Sequence, residues 1–183
     1  MAFSSLQGQL LIAAPALVDP NFHRSVVLML EHEEEGAIGV VLNRPSAVDA
    51  AEVVPPLEPI VAAPERIFSG GPVQPGAAIA LGEYADPTSA EALLAGNVGV
   101  VDLDEEPDAL LGRVTRMRLF AGYAGWGPGQ LEAELEEEAW FTEPALPGDL
   151  FSADPDALWA HVLERKGGEY RLVARMPSDP SWN

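Results

Sequence analysis

The stretch formed by residues 19–45, DPNFHRSVVLMLEHEEEGAIGVVLNRP, decides the fold of this chain. Two apolar runs, residues 25–30 and 37–42, flank a short acidic turn that ends in Gly36. This order predicts a β-hairpin, because glycine can take the positive φ that such turns need. Each run is apolar at nearly every position, so we expect both faces of the hairpin to be covered and the pair to lie centrally in a sheet.

Outside the hairpin, the sequence predicts mainly strands at first, and helices become more frequent later in the chain. Further strands are predicted at residues 8–14, 66–69, 77–82, 98–103 and 116–124, and residues 87–96 fit either a strand or a helix. One or two helical turns are predicted within residues 48–54, followed by a proline-rich irregular loop. Strands and helices do not alternate regularly, which favours an α+β fold with a mixed sheet.

Two predicted helices lie in the second half of the chain. One spans residues 104–112, with Asp104 as its cap and Gly112 at its end. The other opens in GWGPGQ, with Pro128 in its first turn. Its residues separate by spacing into a core face of Leu131, Leu135 and Ala139 and a solvent face of Glu132, Glu134, Glu136, Glu137 and Glu138.

The clearest helix begins at an Asp154 cap, with Pro155 in its first turn, and ends at Gly167. Its buried stripe consists of Leu158, Trp159, Val162 and Leu163. A final strand is predicted at residues 169–174. We expect one domain over residues 1–176 and a flexible tail over residues 177–183.

The formal net charge of −19 is the dominant global property of this chain of 183 residues. Residues 1–100 carry 3 basic and 12 acidic side chains, and residues 101–183 carry 7 and 17. Neither half therefore offers a basic surface for phosphate groups. Direct binding of nucleic acid or anionic lipid is disfavoured, because a protein with this field is repelled by both.

The cysteine content and the hydropathy of the chain indicate where in the cell the protein is expected. The chain has no cysteine, which excludes disulfides, thiolate zinc sites and cysteine nucleophiles. The apolar run at residues 10–14 is short and no basic residue precedes it, since the first is Arg24, so it does not match a signal peptide. No stretch approaches the roughly 20 apolar residues of a membrane span. We expect a cytoplasmic protein with no membrane association.

No sequence motif points to catalysis, a cofactor or a metal. The glycines of residues 122–129 match neither the dinucleotide fingerprint nor the P-loop, so a structural strand-to-helix turn is favoured over an anion site. Ser69 lies outside any GxSxG motif. The histidines have no metal-ligand spacing. A weak cation site at His32 in the acidic turn is an alternative, but such turns are usually solvated.

The glutamate-rich helix allows two interpretations. Glu132 with Glu136, and Glu134 with Glu138, are like-charge pairs four residues apart, which destabilise an isolated helix. One interpretation is a solvated face that the apolar residues anchor. The other is a docking surface for a basic partner, in which case Glu134→Gln and Glu138→Gln weaken the capture of that partner.

Polar side chains that interrupt apolar runs at strand ends form the candidate ligand-binding set: Arg24, Asn43, Arg44, Tyr123, Trp126 and Gln130. Arg24 and Arg44 could together hold Asp19 or the carboxylate of a ligand. The favoured alternative is an internal ion pair or a backbone-capping role, since buried charges are usually paired within a fold. Trp126 fits an exposed contact anchor or a plug in the core.

Four blocks of this sequence together resemble the YqgE/AlgH family of small bacterial proteins: LLIAAPAL, residues 19–45, SGGPV, and GYAGWGPGQLEAEL followed by Ala139 and Trp140. The resemblance implies a single α+β domain with a mixed, bifurcated β-sheet curled into a pseudo-barrel with flanking helices. It also implies the label of a transcriptional regulator, with no agreed catalytic residues. The family motif falls here on Asp19, Arg24, Asn43, Arg44, Gly70, Gly71, Pro72, Tyr123, Trp126, Gly129, Gln130 and Trp140.

Two hypotheses for function follow. The first is a cytoplasmic, non-enzymatic regulatory protein that binds another protein and affects transcription indirectly. The alternative is a small-molecule binder or an enzyme that uses one pocket lined by Arg24, Asn43, Arg44, Tyr123 and Gln130, and convergence of these side chains on one cavity distinguishes the two. No cofactor is expected, and the sequence leaves the oligomeric state open.

Overall fold

Ten strands form one sheet within residues 3–178, which are the residues that the computed structural model describes. The strands are β1 (Gln9–Ala13), β2 (Val26–Glu33), β3 (Gly36–Val41), β4 (Pro45–Asp49), β5 (Arg66–Ser69), β6 (Val73–Tyr84), β7 (Leu93–Ala95), β8 (Val98–Val101), β9 (Val114–Trp126) and β10 (Trp140–Pro144). Their main order is β10-β1-β2-β3-β9-β6-β8-β7, and β4 and β5 branch from this path.

The predicted hairpin is confirmed as β2 and β3, and it lies inside the sheet. β2 pairs with β1 as well as β3, and β3 pairs with β9. The side chains from Val26 to Leu30 are all buried. Both faces are covered, as the unbroken apolar runs predict.

The long strand β9 makes the sheet bifurcated and mixed. Its pairing with β6 occupies one edge along most of its length. The other edge is shared by β5, which is parallel to β9 at Phe120 and Ala121, and by β3, which is antiparallel to β9 from Ala124 to Trp126. The predicted fold class is confirmed, because the sheet is strongly curled into a half-barrel with a few flanking helices.

In the described part of the chain, six short helices flank the sheet: α1 (Ala50–Val53), α2 (Pro107–Leu111), α3 (Gln130–Glu136), α4 (Pro147–Leu150), α5 (Pro155–Lys166) and α6 (Tyr170–Ala174). The segments that connect these elements include the 3-10 helices Pro55–Ile60 and Pro87–Ser89. The main core joins one face of the sheet to α5 through Leu28, Phe68, Phe120, Leu158 and Trp159 among others. A second cluster lies beneath α3, and a third beneath α1 and α2.

The last predicted strand is wrong, because residues 170–174 form helix α6. Gly167 and Gly168 both have positive φ and reverse the chain after α5. Tyr170, Val173 and Ala174 then recur at helical spacing and pack against the main core. The segment EYRLVA is too short for alternation to distinguish a strand from a helix.

Three predicted helix starts are also corrected. α2 begins at Pro107, so Asp104 is not its cap, and the backbone N–H of Asp104 instead donates to the Asp102 carboxylate in a preceding turn. α3 begins after Gly129, whose φ of 74° leaves Pro128 outside the helix. Asp154 stands before α5 as predicted, but its side chain makes no capping hydrogen bond.

The described part of the chain, residues 3–178, has no helix of the length and apolar character needed to cross a membrane. Residues 179–183 of the predicted flexible tail lie outside the described residues. Flexibility of that tail stays a prediction.

Candidate functional site

A cavity of about 480 Å³ opens where the chain enters and leaves the hairpin, next to α5. It is lined by His23, Arg24, Asn43, Arg44, Pro45, Asp156, Trp159 and Ala160. Half of the candidate ligand-binding set therefore shares one cavity, because Arg24 precedes β2 and Asn43 and Arg44 follow β3 at the same end of the hairpin.

Asn43 connects the two strands at the floor of this cavity. Its Oδ1 accepts from the backbone N–H of Val26 at 3.0 Å, and its Nδ2 donates to the carbonyl of Arg24 at 2.9 Å. These two bonds hold Arg24 at a φ of 55°, a conformation that residues with a Cβ rarely adopt. Asn43 thus positions the backbone of Arg24.

The Arg24 guanidinium lies over Trp159, with its Cζ 4.1 Å from the ring centroid. One terminal nitrogen, Nη1, also donates to the carbonyl of Met176 at 3.2 Å. Trp159 is a fixed platform, because it is buried and its Nε1 donates to the carbonyl of Ala13 at 2.9 Å. Partial burial lowers the pKa of Arg24.

Arg44 ties down the loop that precedes β2. Its Nη1 donates to the carbonyl of Pro20 at 2.8 Å and its Nη2 to the carbonyl of His23 at 2.7 Å. Burial lowers the pKa of Arg44, and the nearby charge of Asp19 partly raises it again. Arg44 therefore caps two backbone carbonyls, as one of the two interpretations of this residue predicts.

The other three candidates do not line this cavity. Trp126 is a core plug, not an exposed anchor, because only 6% of its surface is exposed and it packs against Phe22 and Trp140. Gln130 accepts from the backbone N–H of Gly127 at 3.0 Å and closes the turn before α3. Tyr123 packs against the main core.

The register of the sheet separates the two halves of the candidate set. Trp126 is paired with Ala37, and Asn43 lies six residues further along the chain, which corresponds to about 20 Å of extended strand. The prediction of one pocket shared by all five residues is wrong. Ligand binding by Arg24, Asn43 and Arg44 stays a prediction.

The sequence model of a known family, described as AlgH-like, matches residues 10–171. This chain belongs to the AlgH-like family. The resemblance seen in its four sequence blocks is thereby confirmed.

Relatives of this AlgH-like protein cover nearly its whole length. A UPF0301 protein of Streptomyces coelicolor is 46% identical over 98% of this chain and 96% of its own, and one of Thermobifida fusca is 44% identical with the same coverage. The crystal structure of a Corynebacterium diphtheriae protein superposes with a TM-score of 0.87 at 34% identity, covering 96% and 94% of the two chains. The solution structure of AlgH from Pseudomonas aeruginosa superposes with a TM-score of 0.69 at 34% identity, covering 97% of each chain.

His32 of this AlgH-like protein is buried, which the acidic sequence around it did not indicate. Its Nδ1 accepts from the backbone N–H of Leu6 at 2.9 Å, and its Nε2 donates to Glu132 of α3 at 2.7 Å. Both ring nitrogens are engaged, so the imidazole required by a cation site at His32 is not available. Within residues 3–178, no three His, Cys, Asp or Glu side chains are grouped closely enough to hold a metal ion.

The contact with His32 makes Glu132 a pH-dependent contributor to stability. The hydrogen bond from His32 is the main reason that the pKa of Glu132 lies below its usual 4.5 in the folded protein. The hydrogen bond between His32 and Glu132 therefore contributes to the free energy of unfolding above about pH 4.5. This contribution is lost as the pH falls through the lower pKa that Glu132 has in the folded protein. Because Glu132 is half-exposed, we expect Glu132→Gln to lower the free energy of unfolding by about 0.5 kcal/mol at neutral pH.

Urea unfolding from neutral pH downwards measures this effect. The stability difference between wild type and Glu132→Gln should narrow as the pH falls below about 4.5. Glu136→Gln, on the exposed side of α3, is the control and should show no such narrowing. A difference for Glu132→Gln that grows on acidification would contradict the assignment.

Glu134 also departs from the predicted solvent face of α3. Its Oε1 accepts from Trp140 Nε1 at 3.3 Å, and its Oε2 is buried without a partner among the described residues. The prediction that the five glutamates lie largely in solvent is therefore wrong for Glu134, whereas Glu132 is half-exposed. Of the five, Glu136, Glu137 and Glu138 are exposed.

A second concave surface, of about 280 Å³, lies at the closed end of the hairpin. Its rim carries Glu31, Glu33 and Glu35, and its floor is mainly the half-buried Ile38, since Trp126 contributes only the 6% of its surface that is exposed. We call these five residues the hairpin-tip surface. Glu31 and Glu33 point to the same side because they are two residues apart on β2.

Proposed function

We propose that this AlgH-like protein is a non-enzymatic regulatory protein that acts by binding another protein through the hairpin-tip surface. The observation that carries this proposal is the combination of three carboxylates with an apolar floor in one concavity. Interfaces between proteins typically have an apolar centre within a polar rim, and Ile38 supplies most of the apolar surface here.

Charge defines the kind of partner. No basic side chain lines the hairpin-tip surface, and within residues 3–178 none of its three glutamates forms an ion pair. A partner surface rich in Lys and Arg supplies the missing charges, and the net charge of −19 steers it toward this protein. The same field opposes DNA, so an effect on transcription is indirect.

Capture from native lysate tests the hairpin-tip surface directly. The immobilised triple variant Glu31→Gln, Glu33→Gln, Glu35→Gln should retain about tenfold less of the partner than wild type, because it loses the rim charges but keeps the apolar floor. The partner is identified by mass spectrometry and its affinity is then measured with the purified protein.

A matched triple variant separates local contact from global charge. Glu136→Gln, Glu137→Gln and Glu138→Gln remove the same charge from the exposed end of α3 and should leave capture unchanged. Equal losses for both triple variants would mean that net charge alone governs retention. That result, or full retention by the hairpin-tip variant, refutes the proposal.

A further inference from the structure

We propose a second, independent binding site in the cavity between the open end of the hairpin and α5. Its ligand is a small zwitterion with a carboxylate and an ammonium group, of the free amino acid class. Arg24 and Arg44 hold the carboxylate, and Asp156 holds the ammonium. This site goes beyond the protein-binding role proposed for the hairpin-tip surface, from which it is separated by the length of β3.

The cationic side of the cavity is unusual for this protein. The chain has 10 basic residues against 29 acidic ones, yet two arginines line one cavity. Within residues 3–178, neither Arg24 nor Arg44 lies within ion-pair distance of a carboxylate. Within the described residues, Arg24 donates to a carbonyl through Nη1, and Arg44 donates to two carbonyls through its two terminal nitrogens. Each guanidinium therefore has further N–H groups with which it can donate to a carboxylate.

The arginines are held in place before any ligand arrives. Asn43 fixes the backbone of Arg24 at positive φ, and the buried Trp159 ring supports its guanidinium from below. Arg44 is held by two carbonyls of the neighbouring loop. Strained backbone held by surrounding contacts is characteristic of binding sites, because pre-organisation reduces the entropy lost on binding. Burial lowers the pKa of both arginines, and a bound carboxylate offsets that cost.

The acidic residue in the cavity selects the class of ligand. Asp156 is exposed in the first turn of α5 and lines the same cavity as the two arginines. A bare anion is opposed both by Asp156 and by the net charge of −19, whereas a neutral zwitterion is opposed by neither. The half-buried Ala160 adds apolar surface to the lining, next to which an aliphatic side chain can lie. A cavity of about 480 Å³ has room for such a molecule.

Calorimetric titration with three matched probes tests the proposal. L-leucine carries both charged groups, 4-methylpentanoate lacks the ammonium, and 3-methylbutylamine lacks the carboxylate. L-leucine should bind about tenfold more tightly than either analogue. The other amino acids are titrated in the same way to find the preferred side chain. The proposal is overturned if no amino acid binds, or if 4-methylpentanoate binds as tightly as L-leucine.

Variants assign the two ends of the ligand. Asp156→Asn should weaken L-leucine about tenfold without weakening 4-methylpentanoate, and Arg24→Gln should weaken both. Arg175→Gln is the control, because Arg175 is exposed and does not line the cavity. Amide NMR spectra verify that each variant is folded. Unchanged binding of L-leucine to folded Arg24→Gln would refute the site, and neither result depends on capture of a protein partner.

Discussion

Replacement of Arg118 by methionine is expected to lower the free energy of unfolding by about 3 kcal/mol. Arg118 is 1% exposed, and its guanidinium lies 4.4 Å from the centroid of the Phe68 ring. Its terminal nitrogens donate to the carbonyls of Ala63, Leu150 and Ser152 at 2.6, 3.3 and 3.0 Å. Methionine fills similar space but leaves three carbonyls without their donor, which outweighs the benefit of removing a buried charge.

The charge of Arg118 persists despite its burial. Desolvation, with a smaller effect from Arg116, lowers the pKa of Arg118 to about 10, so it is still protonated at neutral pH. Arg118→Lys should also lower the free energy of unfolding, because an ammonium group cannot reach carbonyls on two separate loops as a planar guanidinium does. Urea unfolding followed by circular dichroism measures both changes.

Arg116 provides the matched control for Arg118. It lies two residues away on the same strand, is half-exposed and pairs with Glu83 at 3.2 Å. Arg116→Met should cost at most about 1 kcal/mol, as is usual for a partly exposed ion pair. If Arg118→Met were no more destabilising than Arg116→Met, the three carbonyl contacts would not be holding the two loops to β9.

The second large effect is expected at Gly71, where Gly71→Ala should lower the free energy of unfolding by about 3 kcal/mol or prevent folding. A Cβ at this position would overlap the backbone carbonyl of Tyr123 and the amide nitrogen of Ala124. Neither can move without distorting β9, where the sheet branches. The φ of Gly71, 151°, adds strain for any residue with a side chain.

Gly76 is the control for this substitution, because a Cβ there would meet nothing within 4 Å. Gly76→Ala should change the free energy of unfolding by no more than about 0.5 kcal/mol. Thermal and urea unfolding of both variants give the comparison. A Gly71→Ala protein with the same urea midpoint as wild type would show that the segment between β5 and β6 can move away from β9 without loss of stability.

The elements that the sequence predicted correctly are those whose signal is local and long. The two apolar runs of the hairpin each span several residues between clear turn residues, and β9 is flanked by glycines in the same way. The segment at residues 170–174 was mispredicted because five residues match both strand and helix periodicity. Packing of Tyr170 against Phe141, with ring centroids 5.0 Å apart, accompanies the helical form.

Only half of the candidate ligand-binding set lines one cavity, and the reason is similar. Arg24, Asn43 and Arg44 are brought together by the hairpin itself, whose pairing follows from nearby residues. Trp126 and Gln130 have similar character in the sequence, but their position depends on the pairing of Ala37 with Trp126, far apart in the chain. Trp159, the platform of the cavity, was predicted only as a core residue, because nothing near it in the sequence indicates Arg24 as its neighbour.

The sequence by itself determined the family, the central hairpin and the strongly acidic character of this protein. Only the tertiary structure decided which charges are exposed and which are held inside. Arg118 is buried against carbonyls, and His32 is paired with Glu132, although the residues next to them in the sequence indicate neither contact. Periodicity and turn chemistry act over a few residues, whereas the environment of a charge depends on elements that meet only when the sheet has curled and its register is set.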